Sequence, residues 1–233
     1  MTRRIRFNAF DMNCVAHQSP GLWRHPDDQS HRYKDLYYWI ELAKLLEQGR
    51  FDGIFIADVL GTYDVYGGDD VAALRQGAQI PVADPLLLVS AMAAVTEHLG
   101  FGITTGTGFE HPYPFARRLS TLDHLTKGRI GWNVVTGYLP SAARNFGADD
   151  QLDHDARYDH ADEYLEVLYK LWEGRGRTMQ LSRMPREASM STRPRSTTSA
   201  TREHISPCRV STCPSRPRNA PRRSTRQAHR LAV

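Results

Sequence analysis

Asp58 closes the apolar run FDGIFIA, so its carboxylate is the first polar group to emerge from a segment that reads as buried. Three other apolar runs end in the same manner. Asn13, Cys14 and His17 follow the first, Thr104 and Thr105 end the third, and Asn133 and Thr136 end the fourth. Tyr63 lies in the segment after Asp58, and Tyr138, His154, Arg157 and Tyr158 lie beyond the fourth run. A carboxylate, imidazoles, a thiol and phenols can orient a polar ring or hold and move a proton. Each has an ordinary role when taken singly: a loop Asp caps, a lone Cys behaves as a small hydrophobe, and a Thr in a strand packs. Placement of all of them at the same end of four apolar runs is what points to a shared site.

Other chemistries lack their signatures. His154 and Asp155 are adjacent rather than one helical turn apart, so no metal site is expected. The GTG at residues 106–108 lacks the full dinucleotide fingerprint and is followed by FEHPYP rather than by a helix start. There is neither a GxSxG elbow nor a phosphate-binding Walker loop.

The elements that must position these residues alternate. Strand-like runs at 5–10, 51–58, 101–107 and 129–136 are separated by amphipathic helical runs at 35–48, 84–98, 113–127 and 155–173. Asp35, Asp84 and Asp155 stand at N-cap positions, Pro85 and Pro114 in first turns, and Gly49, Gly100, Gly128 and Gly174 after helix ends. The pattern implies parallel βα units with helices covering the sheet. Connections 11–33, 59–83 and 137–154 on the carboxyl side of the strands are long, whereas the return turns are short. That asymmetry marks an α/β, TIM-like (β/α)8 barrel, of which residues 1–174 hold the first four βα units.

At Gly174 the composition changes. Residues 175–233 contain 14 Arg, no Lys, two acids (Glu187 and Glu203) and no Phe, Trp or Tyr, a charge of +12. The whole chain carries +4, which leaves −8 on residues 1–174. Such a tail cannot bury enough apolar surface to order itself and is expected to be disordered. Arg, Ser, Pro and Thr without Lys is also what GC-rich DNA yields out of frame. Shifted codons across residues 174–180 can read SWEDDA, and across 203–221 can read AYFTVPGVHLSEPSAQRT. A one-base deletion near codon 174 is therefore the expected origin, with the tail a frameshift product. The competing reading is a small α/β domain with an Arg-rich arm for nucleic acid. Such a binder should carry a basic body, and this one is acidic.

Cys208 and Cys213 belong to the tail, so only Cys14 remains in the body and no disulfide framework is expected. The N-terminus has no apolar signal region, and no stretch approaches about 18 apolar residues. A cytoplasmic protein with no membrane partner is the expectation.

The strings FNAFDMNCVAHQSPGLWRHP, FDGIFIADVLGTYDVYGG, MAAVTEHLGFGITTGTGFEHPYPFARRLSTLDHLTKGRIGWNVVT and HDARYDHADEYLEVLYKLWEG resemble the bacterial-luciferase-like, flavin-dependent monooxygenases. Within these they are similar to the nitrilotriacetate and dibenzothiophene-sulfone branch, nearest to its long-chain alkane oxygenases. The resemblance covers residues 1–174. It implies a barrel that takes up reduced FMN (FMNH2) from a separate NAD(P)H:flavin reductase, uses O2 as co-substrate and oxygenates an organic molecule. It also implies a homo-oligomer at full length, and no nucleic-acid partner. By position, Asp58, Thr104, His154 and Tyr158 match FMN-contacting residues, while Cys14, His17 and Tyr63 match the substrate side. The alkane oxygenases have Ser-His after WNVVT, where this chain has Gly137 and Tyr138. Tyr138 is thus the expected donor in place of an imidazole. Without the later strands of such a barrel, the 233-residue chain is expected to be inactive.

Overall fold

A computed structural model of the chain describes residues 5–17 and 21–173. The reading of residues 175–233 lies outside the described residues. Four strands, β1 (Asn8–Met12), β2 (Gly53–Ala57), β3 (Gly100–Gly106) and β4 (Ile130–Val135), form one sheet in the order β1-β2-β3-β4. All three pairings are parallel. Between and after them run α1 (Leu36–Gln48), α2 (Val71–Gln76), α3 (Leu86–Ala94), α4 (Pro112–Leu125), α5 (Pro140–Asn145) and α6 (His154–Glu173).

The sheet has two unlike faces, because successive side chains of a strand point to opposite sides. Ile54, Ile56, Phe101, Ile103 and Ile130 point outward and bury against Trp39, Val89, Met92, Phe115 and Leu168 of the helices. Each such side chain contributes about 1.5–3 kcal/mol by leaving water, which makes this layer the core. On the other face Phe10 lies opposite Phe55, Phe55 opposite Gly102, and Gly102 opposite Gly131. One row further, Met12 faces Ala57 and Thr104 faces Asn133. Two aromatics followed by two glycines leave a hollow on this side.

The structure moves several boundaries. β1 spans Asn8–Met12 rather than 5–10, because its partner β2 begins at Gly53 and Asn8 is the residue opposite it. α3 ends at Ala94, four residues early. The Glu47 carboxylate accepts from the backbone N–H groups of Glu97 (2.8 Å), His98 (3.3 Å) and Leu99 (3.3 Å), so the chain leaves the helix to reach it. Asp35 caps α1 by accepting from the Tyr37 N–H at 2.9 Å, and Asp84 accepts from the Leu86 N–H at 2.9 Å. Asp155 is not a cap: α6 already starts at His154, and the Asp153 carbonyl accepts from the Arg157 N–H at 3.0 Å. After α1 the left-handed residue is Arg50 (φ 58°), not Gly49. The long connections hold two short helices, α2 and α5, that periodicity did not reveal.

Among the described residues, no helix is long and apolar enough to cross a membrane. No group of His, Cys, Asp and Glu among them could hold a metal ion.

Candidate active site

The carboxyl ends of the strands and the loops beyond them enclose a cavity of about 680 Å³. Its size falls within the range of about 300–1,000 Å³ that small-molecule and cofactor sites occupy. Phe10, Phe55, Val59, Leu60 and Val135 give it an apolar wall. The Phe10 and Phe55 rings stack at 5.3 Å, and His17 meets the Phe10 ring edge-on at 4.7 Å.

Ten of the residues singled out from sequence line this one cavity: His17, Asp58, Tyr63, Thr104, Asn133, Thr136, Tyr138, His154, Arg157 and Tyr158. Thr104 is buried on β3, and its hydroxyl accepts from the Asn133 amide of β4 at 3.1 Å. Asp58 follows the last residue of β2 and accepts from the Val59 N–H at 2.9 Å. Burial pushes its carboxyl up to about 6; the Val59 hydrogen bond opposes the shift and the Asp84 charge adds to it. Burial also lowers the affinity of His17 for a proton, and its Nδ1 is buried with no hydrogen-bond partner. His154 and Tyr158 stand at the outer rim, their rings 4.8 Å apart, and His154 Nδ1 lies 2.8 Å from the Asp155 carboxylate.

Cys14 does not join them. Its thiol donates to the Ala16 carbonyl at 3.2 Å, and its backbone forms an antiparallel bridge with Val82. Burial pushes the thiol up to about 11, so it is protonated and unreactive at neutral pH. Its backbone bridge ties the loop after β1 to the loop after β2.

That tie brings in a residue no sequence signal marked. Gln79 lines the cavity because its N–H donates to the Ala16 carbonyl at 2.7 Å, just beyond the Cys14–Val82 bridge. Arg157, one of the residues the sequence did mark, lines the rim from α6, and its Nε is buried without a partner. The segment after Asp58 is held on α5: Ser141 Oγ donates to the Thr62 carbonyl at 2.7 Å, Asn145 to the Leu60 carbonyl at 3.0 Å, and Arg144 pairs with Asp64 at 3.0 Å. A Cβ on Gly61 would stand 2.5 Å from the Ala142 backbone nitrogen, so only glycine permits this contact. Gly137, at φ 71°, turns β4 toward α5 and carries Tyr138 to a hydrogen bond with the Tyr63 hydroxyl.

A second cavity of about 440 Å³ lies beside the first. Asp58, Leu60, Gly106 and Phe109 line both, so Asp58 stands in the wall between them.

Comparison with known proteins follows the same lines. The luciferase-like monooxygenase family matches residues 12–213. The chain is 65% identical over 174 residues to a long-chain alkane monooxygenase of Geobacillus thermodenitrificans, covering 75% of this chain and 40% of that protein. It is 64% identical over 174 residues to a dimethyl-sulfide monooxygenase of Hyphomicrobium sulfonivorans, covering 75% of this chain and 36% of that protein. The crystal structure of a long-chain alkane monooxygenase superposes with a TM-score of 0.85 at 53% identity, over 92% of this chain and 50% of that one. A riboflavin lyase crystallised with modified FMN and riboflavin gives 0.84 at 35% identity, over 92% of this chain and 48% of that one. The chain thus spans less than half the length of the curated relatives described here.

Proposed function

The chain belongs to the luciferase-like monooxygenase family, and on that premise we propose that it carries the flavin-binding half of a two-component, FMNH2-dependent monooxygenase acting on a small organic substrate. The observation that carries this reading is the convergence of His17, Asp58, Tyr63, Thr104, Tyr138, His154 and Tyr158 on one largely apolar cavity at the carboxyl ends of four parallel strands. The relatives' names speak of alkanes and an organic sulfide, which sets the class of substrate proposed.

The residues present fit FMN. A flat ring suits the apolar wall, with Asp58 and the Thr104–Asn133 pair as polar groups for its edge. The orphaned Arg157 Nε and the His154–Tyr158 pair at the rim suit an anionic phosphate end. When bound and reduced, the flavin supplies the activation of O2, with one oxygen atom going to the substrate and the other to water.

The chain's own residues have distinct tasks. Phe10, Phe55, Val59 and Leu60 supply the apolar surface against which a bound ring would be shielded from water. Asp58 and Thr104 orient the cofactor's polar edge. His17, Tyr63 and Tyr138 occupy the substrate end, where His17 is neutral and Tyr138 remains a protonated donor because burial, with the Tyr63 contact, raises its ionisation. Cys14 acts only by positioning the loop that carries His17.

The test supplies reduced FMN from an NAD(P)H:flavin reductase to the protein and follows oxygenated product. Turnover is expected for the chain in its restored reading frame, and none with oxidised FMN and NADH alone. Turnover without a reductase contradicts the two-component reading. The family match lends nothing to the nucleic-acid alternative.

A further inference from the structure

Two phenols from different loops meet at the substrate end of the cavity. Tyr63 comes from the connection after β2 and Tyr138 from the connection after β4, 75 residues apart, and their hydroxyls are hydrogen-bonded to each other. Both residues line the cavity, with ring centroids 6.1 Å apart and planes inclined at 62°. Two hydroxyls bonded to each other spend one of their two hydrogens. Among the described residues neither has a second protein partner, so one O–H is left to donate.

The pair is also held in place before any ligand arrives. Gly61 packs on α5 with no room for a Cβ, and Ser141, Arg144 and Asn145 hold the Tyr63 loop by three polar contacts. Tyr138 leaves β4 through the left-handed Gly137 and enters α5 directly. Both phenols are therefore anchored to one helix, and little ordering remains to be done on binding. Val59, Leu60, Leu139 and Ala142 of the same lining are apolar, and His17, whose Nδ1 is unpartnered, is a further polar side chain placed at this end.

We propose that the Tyr63–Tyr138 hydroxyl pair selects substrate, favouring a compact apolar molecule that presents one hydrogen-bond acceptor, a carbonyl, sulfoxide or ether oxygen or more weakly a sulfide, over a plain alkane. This rests on the monooxygenase reading for its meaning as substrate choice. The physical reason is the asymmetry of polar recognition. A ligand that buries a hydroxyl without accepting from it forfeits that donor's water, whereas one that accepts from it does not.

The test uses the 233-residue chain and two probes of matched shape, 1-(4-fluorophenyl)ethanone and 1-ethyl-4-fluorobenzene, titrated by fluorine NMR. The ketone should bind at least tenfold tighter than the hydrocarbon. The double variant Tyr63→Phe/Tyr138→Phe, which keeps ring volume, should bring that ratio below twofold, with each single variant between because it retains one donor without its fixing partner. Near-UV circular dichroism on each sample shows that the packing survives. A ratio below twofold in the unsubstituted chain, failure of the ketone to bind, or a ratio unchanged in the double variant each overturns the proposal. FMN titrated into the frame-restored protein, beside the same ketone titration, separates the two readings. Loss of flavin binding with the ketone preference intact sinks the flavin assignment alone, and the converse sinks only the selection by phenols.

Discussion

Asp58 ionises at about 6 in the folded chain, against 3.8 when unperturbed. Below 3.8 the folded and unfolded chains both hold the proton, and between 3.8 and about 6 only the folded chain does. Its favourable contribution is thus fully present at low pH and lost as pH rises through about 6, a swing on the order of 2–3 kcal/mol. Asp58→Asn should stabilise the chain by about 1–2 kcal/mol at pH 8 and by nothing measurable at pH 4, as read from urea unfolding. In the frame-restored protein the same change should weaken reduced-FMN binding about tenfold, since a neutral amide accepts less strongly. Equal stability changes at both pH values would remove Asp58 from its buried setting. Unchanged affinity would make it a structural group of the loop.

At the scale of elements, the connections decide the site more than the strands do. The loop after β2 reaches Tyr63 by lying flat on α5, and Gly61 is where the two backbones meet. Gly61→Ala should cost about 1–3 kcal/mol, because besides the Ser141 hydroxyl the new Cβ meets the Ala142 backbone nitrogen and Cα, which cannot rotate aside. It should also abolish any ketone preference, since Tyr63 moves with the loop. A melting temperature within a degree of the unsubstituted chain's would show that the loop gives way freely. At the opposite end of the sheet, Arg129 precedes β4 and donates to the carbonyls of Ala93 (3.0 Å), Thr96 (3.0 Å), Leu99 (3.0 Å) and Thr126 (2.9 Å). One guanidinium thus ties the turns leading into β3 and β4. Arg129→Met should destabilise by about 3 kcal/mol or more, and Arg129→Lys should recover less than half, because an ammonium cannot span the same fork. Equal stability of the Met and Lys variants would refute the role of the fork.

At the scale of the molecule, β1 and β4 have no strand on their outer sides among the described residues. Long, unpaired edges are what natural sheets avoid. We hold residues 175–233 to be an out-of-frame tail and residues 1–174 to be one half of a barrel. Restoring one base near codon 174 should open a frame running well past codon 233, and sequencing about 50 bases around that codon decides whether it does. The restored protein should bind FMN at least tenfold tighter than the 233-residue chain, by quenching of flavin fluorescence. A shifted frame that stops within a few codons, or tight stoichiometric binding by the short chain, would overturn this view.

Element types and their order were legible because hydrophobic periodicity is local: the apolar runs at β2 and β3 and the amphipathic pattern of α1 need no knowledge of what they touch. The positions of Asp58 and Thr104 were legible for the same reason, since a residue that ends a buried strand must emerge at the sheet's edge. Cys14 stood among the candidates in sequence, and only the structure showed it bridged to Val82 and outside the cavity lining. The end of α3 was set by Glu47, about 50 residues earlier, and Gln79 entered the site through Ala16. Tyr63 and Tyr138 became a pair through α5, which neither one's local sequence announces. Strand and helix formation is governed by neighbours a few positions apart, so sequence determined it. Contacts between loops depend on where four strands place their ends, and that is decided only when the sheet has formed.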